Sequence, residues 1–373
     1  MHNNLIPIAP FTPQDIVSLE CIRTGQLSMG KFTQQFEQAF AAHVGTKYAV
    51  MVNSGSSANL LALSALKALH PEIKTVGLPA VTWSTTLAPI VQLGLTPRFF
   101  DVELDTLTLK DTYFPCDVLF NVHLLGQPSP AMVDLTAFVL EDCCESLGTH
   151  YHDGRHVGTS CTAGTFSFFY SHQLVTIEGG MVVTNDESYY EELAMQRAHG
   201  WIRELPEARR LYWQRRHPDI DHRFLFPTLG FNMRPTEINA ELGLMQLPHL
   251  EQWHQRRLDI AIRMRAATND GFLPYRMNKG RHSWFAYPLL LERGGLERRA
   301  RLIKHFEMAD IPTRPIVAGD LTSQPFMAKF GLQCVKPLNN SRYIQHNGIY
   351  LAISPFMTDD YVSRVCDAIA TWE

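Results

Sequence analysis

The chain has no CxxC pair, and its seven cysteines, Cys21, Cys116, Cys143, Cys144, Cys161, Cys334 and Cys366, are an odd number in 373 residues. Neither a complete disulfide framework nor a zinc ribbon is indicated. Residues 162–333 contain no cysteine, which argues against an iron–sulfur cluster, whose usual ligands are thiolates. No HExxH or other metal pattern occurs among the 16 histidines, so no metal is expected. The chain also lacks an excess of positive charge: 33 Lys and Arg face 37 Asp and Glu for a net charge of −4, leaving no basic field for nucleic acid or an anionic membrane. No apolar run approaches the ~20 residues that span a bilayer. The opening MHNNLIPIAPF has neither a basic n-region nor a long apolar h-region, and the expected compartment is the cytoplasm.

What is present is an ordinary globular composition, 45 % hydrophobic and 19 % charged, in a chain long enough at ~150 residues per domain for two or three domains. Thr12-Pro13 opens a helix that Gly25 closes, and Phe32, Phe36 and Phe40 give a second helix one apolar face before Gly45. Strand-like YAVMVN (48–53), TVGLPA (75–80), TPRFFDV (96–102), VLFNVHLL (118–125) and FVLEDCC (138–144) follow. Helical SSANLLALSALKAL (56–69) and STTLAPIVQLG (84–94) alternate with the first of them. Such alternation predicts βαβ units and an α/β sandwich with a mostly parallel sheet. Residues 201–232 read as an irregular, Arg- and Pro-rich stretch, too long for a plain connection. Helix returns from Pro235 to Asn269 with a kink at Pro248, then strand-like SWFAYPLLL (283–291), helix-like LERRARLIKHFEMA (296–309) and a last helix from Thr358. The expected organisation is a large α/β domain over 1–250, including the N-terminal helices, and a smaller α+β domain over 251–373.

Three segments carry chemistry. Asn53-Ser54-Gly55-Ser56-Ser57-Ala58-Asn59 is a strand-to-helix turn whose backbone N–H groups and helix dipole suit a phosphate. It is neither GxGxxG nor GxxxxGK[ST], and many Gly/Ser turns merely cap a helix. Val139-Leu140-Glu141-Asp142-Cys143-Cys144-Glu145-Ser146 sets carboxylates at the carboxyl end of a buried strand, where ligands bind in open α/β sheets. The third is the run from Gly164 to Gly180, GTFSFFYSHQLVTIEGG.

Together with PAVTWSTT (79–86), these segments resemble, in order and over nearly the whole chain, the fold-type-I pyridoxal-phosphate family of nucleotide-sugar aminotransferases, the DegT/StrS type. In that family the counterpart of SFFYSH ends in the lysine that binds the cofactor covalently. Here the residue is His172. That change marks one branch of the family, the nucleotide-sugar 3-dehydratases, which RAHGWIRELP (197–206), HSWFAYPL (282–289) and TRPIVAGDL (313–321) also resemble.

The resemblance implies a pyridoxal or pyridoxamine phosphate cofactor, a nucleotide-linked 4-keto-6-deoxyhexose as substrate, glutamate as amino donor, and a homodimer with shared active sites. It assigns His172 as the proton-transfer residue and Asp142 as partner of the pyridinium nitrogen. Glu145 takes the place of a glutamine near the ring hydroxyl, Trp83 stacks on the ring, and Ser56, Ser57 and Ser167 hold the phosphate. Asn232 reaches that phosphate from the neighbouring subunit, and His199 and Arg203 lie near the substrate. An ordinary aminotransferase is disfavoured, because the nearest lysine to that position is Lys110, far upstream. A silent relative that senses a cofactor or sugar nucleotide is the reading from another class. The nucleotide, GDP, CDP or dTDP, stays open. Gln173 and Asp320 depart from the histidine and asparagine usual in the branch, which puts an identical sugar in question.

Overall fold

The structure, a computed structural model, describes residues 10–110, 115–130 and 138–372; the opening MHNNLIPIA lies outside them. Thr12 accepts the Asp15 amide while the Asp15 carboxylate accepts the Thr12 N–H, a capping box with Pro13 in the first turn. The single helix expected up to Gly25 is two, α1 (Pro13–Ser18) and α2 (Glu20–Thr24), because Leu19 between them has extended backbone. The break is held from outside: the Glu241 carboxylate accepts the N–H groups of Glu20 and Cys21, capping α2. Helix α3 (Lys31–Val44) follows as expected and stops at Gly45, whose φ of 88° is left-handed.

Strand β1 (Tyr48–Val52), α4 (Gly55–Leu69), β2 (Thr75–Pro79), α5 (Ser84–Gln92), β3 (Thr96–Phe100), β4 (Val118–Val122) and β5 (Phe138–Asp142) form the alternating region. The short β6 (His150–Tyr151) precedes β7 (Ala163–Ser167) and β8 (Gly180–Thr184). The seven-stranded sheet has the order β1-β8-β7-β5-β4-β2-β3. Pairings from β7 to β3 are parallel, whereas β8 runs antiparallel to both β7 and β1. One strand is therefore reversed and six share a direction. Alternate residues divide the two cores as a period of two requires: Val50, Val52 and Val182 pack with Leu61 and Leu66 of α4, while Ala49, Met51 and Met181 pack with Phe36 and Phe40 of α3.

Helix α6 (Glu187–Arg197) leads into the stretch expected to be irregular, which instead holds a ten-residue helix, α7 (Glu207–Arg216), between two short 3-10 turns. None of the residues of α7 is buried, so no apolar periodicity marked it. Helices α8 (Glu237–Gln246) and α9 (Leu250–Ala267) are separated by a 3-10 turn through Pro248, the expected kink. Next come β9 (Gly280–Arg281), β10 (Ala286–Leu290), α10 (Leu296–Met308), β11 (Thr313–Arg314), α11 (Phe326–Lys329), α12 (Asn339–Asn347), β12 (Gly348–Ala352) and α13 (Asp359–Ala370). Strands β10, β12 and β11 form an antiparallel sheet with a second core, where Ile260 and Met264 of α9 meet Leu289, Phe306 and Val365. Leu250, at the start of α9, packs instead into the core under the large sheet. No described helix is long and apolar enough to cross a membrane.

Candidate active site

Because β1, β2, β4, β5 and β7 point the same way, their carboxyl ends deliver five loops to one edge of the sheet. There a cleft of about 1150 Å³ opens, walled on the far side by residues of the smaller sheet such as Tyr350 and Arg314. It exceeds the ~300–1,000 Å³ of a typical small-ligand pocket. Ser56, Trp83, Asp142, Glu145, Ser167 and His172 all line it. No lysine does among the described residues.

The phosphate-sized end lies at the start of α4. Ser54 is the N-cap, its Oγ accepting the Ser57 N–H at 3.1 Å, and the N–H groups of Gly55 and Ser56 in the first turn have no intrahelical acceptor. A side chain at Gly55 would put its Cβ 2.5 Å from the Ser167 Cβ, so only glycine lets α4 approach the end of β7 this closely. Ser56 donates to Thr85 Oγ1 at 2.9 Å. The Ser57 hydroxyl is turned to Ser54 at 3.0 Å, and Ser57 is not among the lining residues.

At the centre, Asp142 is 5 % exposed. Its Oδ2 accepts from Asn59 Nδ2 at 2.9 Å and Thr86 Oγ1 at 2.8 Å, and its Oδ1 from the Cys144 N–H at 3.1 Å. Thr165 donates to Asn59 Oδ1 at 2.6 Å, fixing the amide so that its NH₂ faces the carboxylate. Asn59 and Thr86 were not singled out from the sequence; the signal was there in polar residues on the core-facing side of two helices that enter the site. Replacing Thr86 with valine keeps the shape and removes one donor to the Asp142 carboxylate, a bond worth roughly 1.5–3 kcal/mol of which only a part bears on the cofactor, so cofactor affinity is expected to fall roughly 5-fold in a fluorescence titration. Trp83, at the N-cap of α5, is 59 % exposed over the cleft, an indole face open to a flat ring.

His172 is held by its Nδ1 against the Cys144 carbonyl. A carbonyl only accepts, so Nδ1 carries the ring proton and Nε2 keeps its lone pair. Burial pushes the imidazole down to about 4; the Cys144 carbonyl opposes that shift, and Arg257 reinforces it. The Phe285 ring lies 5.2 Å away. Glu145 accepts the Leu125 N–H at 2.8 Å, from a leucine in left-handed backbone with φ 54°. Burial pushes the Glu145 carboxyl up to about 7; the Leu125 N–H opposes this and Asp142 adds to it. The cleft thus holds a base that is neutral over the working range and a carboxyl poised near neutrality.

Both departures at Gln173 and Asp320 lie outside the cleft lining. Gln173 Nε2 donates to the Glu145 carbonyl at 2.6 Å and to Ser283. Asp320 caps a 3-10 turn, accepting the N–H and hydroxyl of Thr322. Asn232, His199 and Arg203 are likewise not lining residues. They share a separate region, in which Ala198 bridges Asn232, His199 lies 5.2 Å from the Trp201 ring, and the Arg203 guanidinium sits over that ring at 5.9 Å.

Behind Asp142, His123, Glu141 and Cys143 bring potential ligand atoms within 4.8 Å of one another. The Ser129 N–H donates to His123 Nδ1 at 3.0 Å, which puts the ring proton on Nε2, 3.4 Å from Glu141. A protonated nitrogen is no ligand. Glu141 also accepts from Tyr151 Oη at 2.6 Å and from the Gly158 N–H, so the cluster reads as a buried hydrogen-bond network that fixes the end of β5.

Comparison with known proteins places this geometry. The family model described as the DegT/DnrJ/EryC1/StrS aminotransferase family matches residues 15–370. A GDP-4-keto-6-deoxy-D-mannose 3-dehydratase of Yersinia pseudotuberculosis is 35 % identical over 348 residues, 88 % of each chain. The solved Escherichia coli GDP-4-keto-6-deoxy-D-mannose-3-dehydratase with bound hydrated PLP superposes with a TM-score of 0.86 at 28 % identity, covering 97 % of both chains. A substituted GDP-4-keto-6-deoxymannose-3-dehydratase with bound GDP-perosamine gives 0.84 at 30 % identity, covering 95 % of this chain and 96 % of the other.

Proposed function

The chain belongs to the DegT/DnrJ/EryC1/StrS aminotransferase family, and within it we propose that it is a pyridoxamine-phosphate-dependent 3-dehydratase of deoxysugar biosynthesis. Its substrate is a nucleotide-linked 4-keto-6-deoxyhexose, GDP-4-keto-6-deoxymannose first among candidates, and glutamate is the amino donor. The observation that carries this reading is His172: in a cleft without a lysine, the histidine after β7 has its tautomer set by Cys144 and its Nε2 free.

The residues present suit the cofactor. Open N–H groups at the start of α4, with Ser56 and Ser167, would hold a phosphate, to which Ser57 would have to turn its hydroxyl from Ser54; Trp83 offers a stacking face; Asp142, anchored by three donors, has acceptor capacity left for a ring N–H. Bound there, pyridoxamine phosphate supplies the amine that condenses with the 4-keto group and a ring that accepts the electron pair released on deprotonation. Asp142 keeps the ring nitrogen protonated and so keeps the ring an electron sink. His172 Nε2 would take the proton from the cofactor's 4′ carbon and could return it to the 3-hydroxyl, which would depart as water. Glu145, at the ring hydroxyl, completes the polar edge. The amine would leave with the product and be released as ammonia, and glutamate would supply its replacement.

The unit that does this is a cytoplasmic homodimer in this reading. Asn232 is exposed and does not line its own cleft, and the nearby Phe224, Phe226 and Leu229 are 59, 47 and 92 % exposed, apolar surface that a second copy would cover. We place the domain division at 250/251, the start of α9, whose first turn, with Leu250 and Trp253, packs into the large-sheet core and whose later turns pack into the small one.

Two measurements test the proposal. Turnover of a panel of nucleotide 4-keto sugars should yield ammonia and a 3-deoxy product from at least one member; cofactor binding with no turnover of any of them would favour a sensor. A base acts in its unprotonated form, so the single-turnover rate of amine-loaded protein should hold through pH 6 and fall only as His172 nears its value of about 4. A limb near 6.5 would mean that the imidazole is not held down.

A further inference from the structure

Tyr350 stands on β12, the middle strand of the small sheet, between Pro288 of β10 and Arg314 of β11. Its neighbours Ile349 and Leu351 pack into the small core, so the period of a strand turns Tyr350 the other way, into the cleft wall. The Phe285 ring lies 6.3 Å from Tyr350 and 5.2 Å from His172. Phenol and imidazole therefore flank one ring in the same cleft. A buried tyrosine hydroxyl usually finds a partner. Those of Tyr151, Tyr189, Tyr275, Tyr287 and Tyr343 are all hydrogen-bonded within the chain. The Tyr350 hydroxyl has no partner among the described residues. Burial, helped by the Glu145 carboxylate and opposed by Arg314, pushes the phenol up to about 12, so the O–H stays protonated at neutral pH. An unpaired neutral donor in a ligand cleft is a group left open for the ligand. The other uncharged hydroxyl that the small domain lends to the cleft, on Ser354, already accepts the Phe356 N–H.

We propose, resting on the dehydratase reading, that the Tyr350 hydroxyl donates a hydrogen bond to the 3-hydroxyl of the bound hexose and stabilises it as it leaves. The 4-keto carbon must meet the cofactor amine, so carbon 3, the adjacent ring atom, lies one bond from the reacting centre. The large-sheet side of that centre belongs to the cofactor, against Trp83 and Asp142, which leaves the small-sheet side for the 3-hydroxyl. Tyr350 is there, close enough to Glu145 for the carboxylate to act on the phenol. When the bond from carbon 3 to oxygen breaks, the electron pair goes to oxygen and the proton comes from His172, so that water leaves. Tyr350 keeps its own proton throughout. Its O–H lowers the cost of the charge that develops on oxygen before the proton arrives.

Tyr350→Phe removes the hydroxyl and keeps the ring, so the packing against Phe285 survives. Single-turnover dehydration by amine-loaded protein should slow about 100-fold or more, the usual loss with one such donor. Regeneration of the amine form by glutamate, in which no hydroxyl departs, should stay within about 2-fold of wild type. A third measurement uses no turnover. An unreactive analogue of the sugar that the panel identifies, with a 4-hydroxyl in place of the ketone, should bind the pyridoxal-phosphate-loaded wild type about 3- to 10-fold more tightly by calorimetry than its 3-deoxy counterpart does. Tyr350→Phe should bind the two alike. A general disturbance of the cleft would weaken both ligands equally and slow both half-reactions, and that result would overturn the proposal. So would a variant that dehydrates at the wild-type rate, or one that keeps the wild-type preference for the 3-hydroxyl. Failure of the dehydratase reading would show separately, as a wild type inert toward every sugar in the panel, and no leaving hydroxyl would then remain for Tyr350 to serve.

Discussion

His172→Lys is expected to turn a chain that releases its cofactor into one that holds it covalently, and to slow dehydration by roughly 100- to 10,000-fold, the range lost with a positioned general base. The geometry supports both halves. His172 sits after the end of β7 with its ring directed over Cys144, so a lysine there would reach the same space with an amine in place of Nε2. The amine could attach to the cofactor aldehyde and would leave no imidazole to take the proton. Borohydride reduction with peptide mass analysis should find a pyridoxyl label at position 172 in the variant and none at any lysine in wild type. His172→Asn should show the same slowing without the label. A labelled lysine in wild type, or full dehydration by the lysine variant, would sink the assignment of His172 as base.

The parts of this site that were legible in the sequence are those where a residue type is unusual for its position. Acids at the end of an apolar strand, a glycine between serines at a strand–helix junction, and a histidine in a run that resembles a lysine motif each stand out against a packed core. All of these but Glu141, which is buried behind Asp142, converge on one cleft. Asn59 and Thr86 did not stand out, because a polar residue on a helix is ordinary until the fold turns it toward Asp142. The departures at Gln173 and Asp320, which put an identical sugar in question, lie outside the cleft lining, one bonded to the Glu145 carbonyl and one at a helical turn. Sequence shows that a residue differs; only packing shows which way it faces.

The fold followed the same logic. Alternating apolar strands and helices identified the large sheet, since each parallel strand needs a crossover. Strands β7 and β8 are not among those expected, because the run from Gly164 to Gly180 reads as a site motif and GMVVT at its end is short, and the reversal of β8 depends on the connection around the site. Helix α7 has no buried face to leave a period in the sequence. The split at Leu19 is imposed by Glu241, more than 200 residues away. Local pattern specified elements that bury a stripe, and missed those fixed by a distant carboxylate or left for another surface.

That surface bears on Asn232. It is exposed, its Oδ1 accepts from Arg234 Nε at 3.0 Å, and it does not line the cleft of its own chain. The phosphate of a cofactor seated on Ser56 and Ser167 would still have acceptor capacity toward solvent, which the partner's copy of this amide could fill. A hydrogen bond to a charged group contributes roughly 1.5–3 kcal/mol, so Asn232→Ala should weaken cofactor binding about 10- to 150-fold. In the proposed homodimer a two-fold axis would make each chain donate to the other, so both sites should weaken together. Hybrids discriminate the arrangement. In a heterodimer of Asn232→Ala and His172→Asn chains, a shared site pairs the intact His172 of one chain with the intact Asn232 of the other once, and both defects fall in the second site. Such a hybrid should recover up to half the activity of a wild-type dimer, although neither parent is active at limiting cofactor. If Asn232 served its own chain, each site would carry one defect and nothing would be recovered. Heterodimers that form, as native mass spectrometry would show, and remain inactive would therefore end the shared-site proposal.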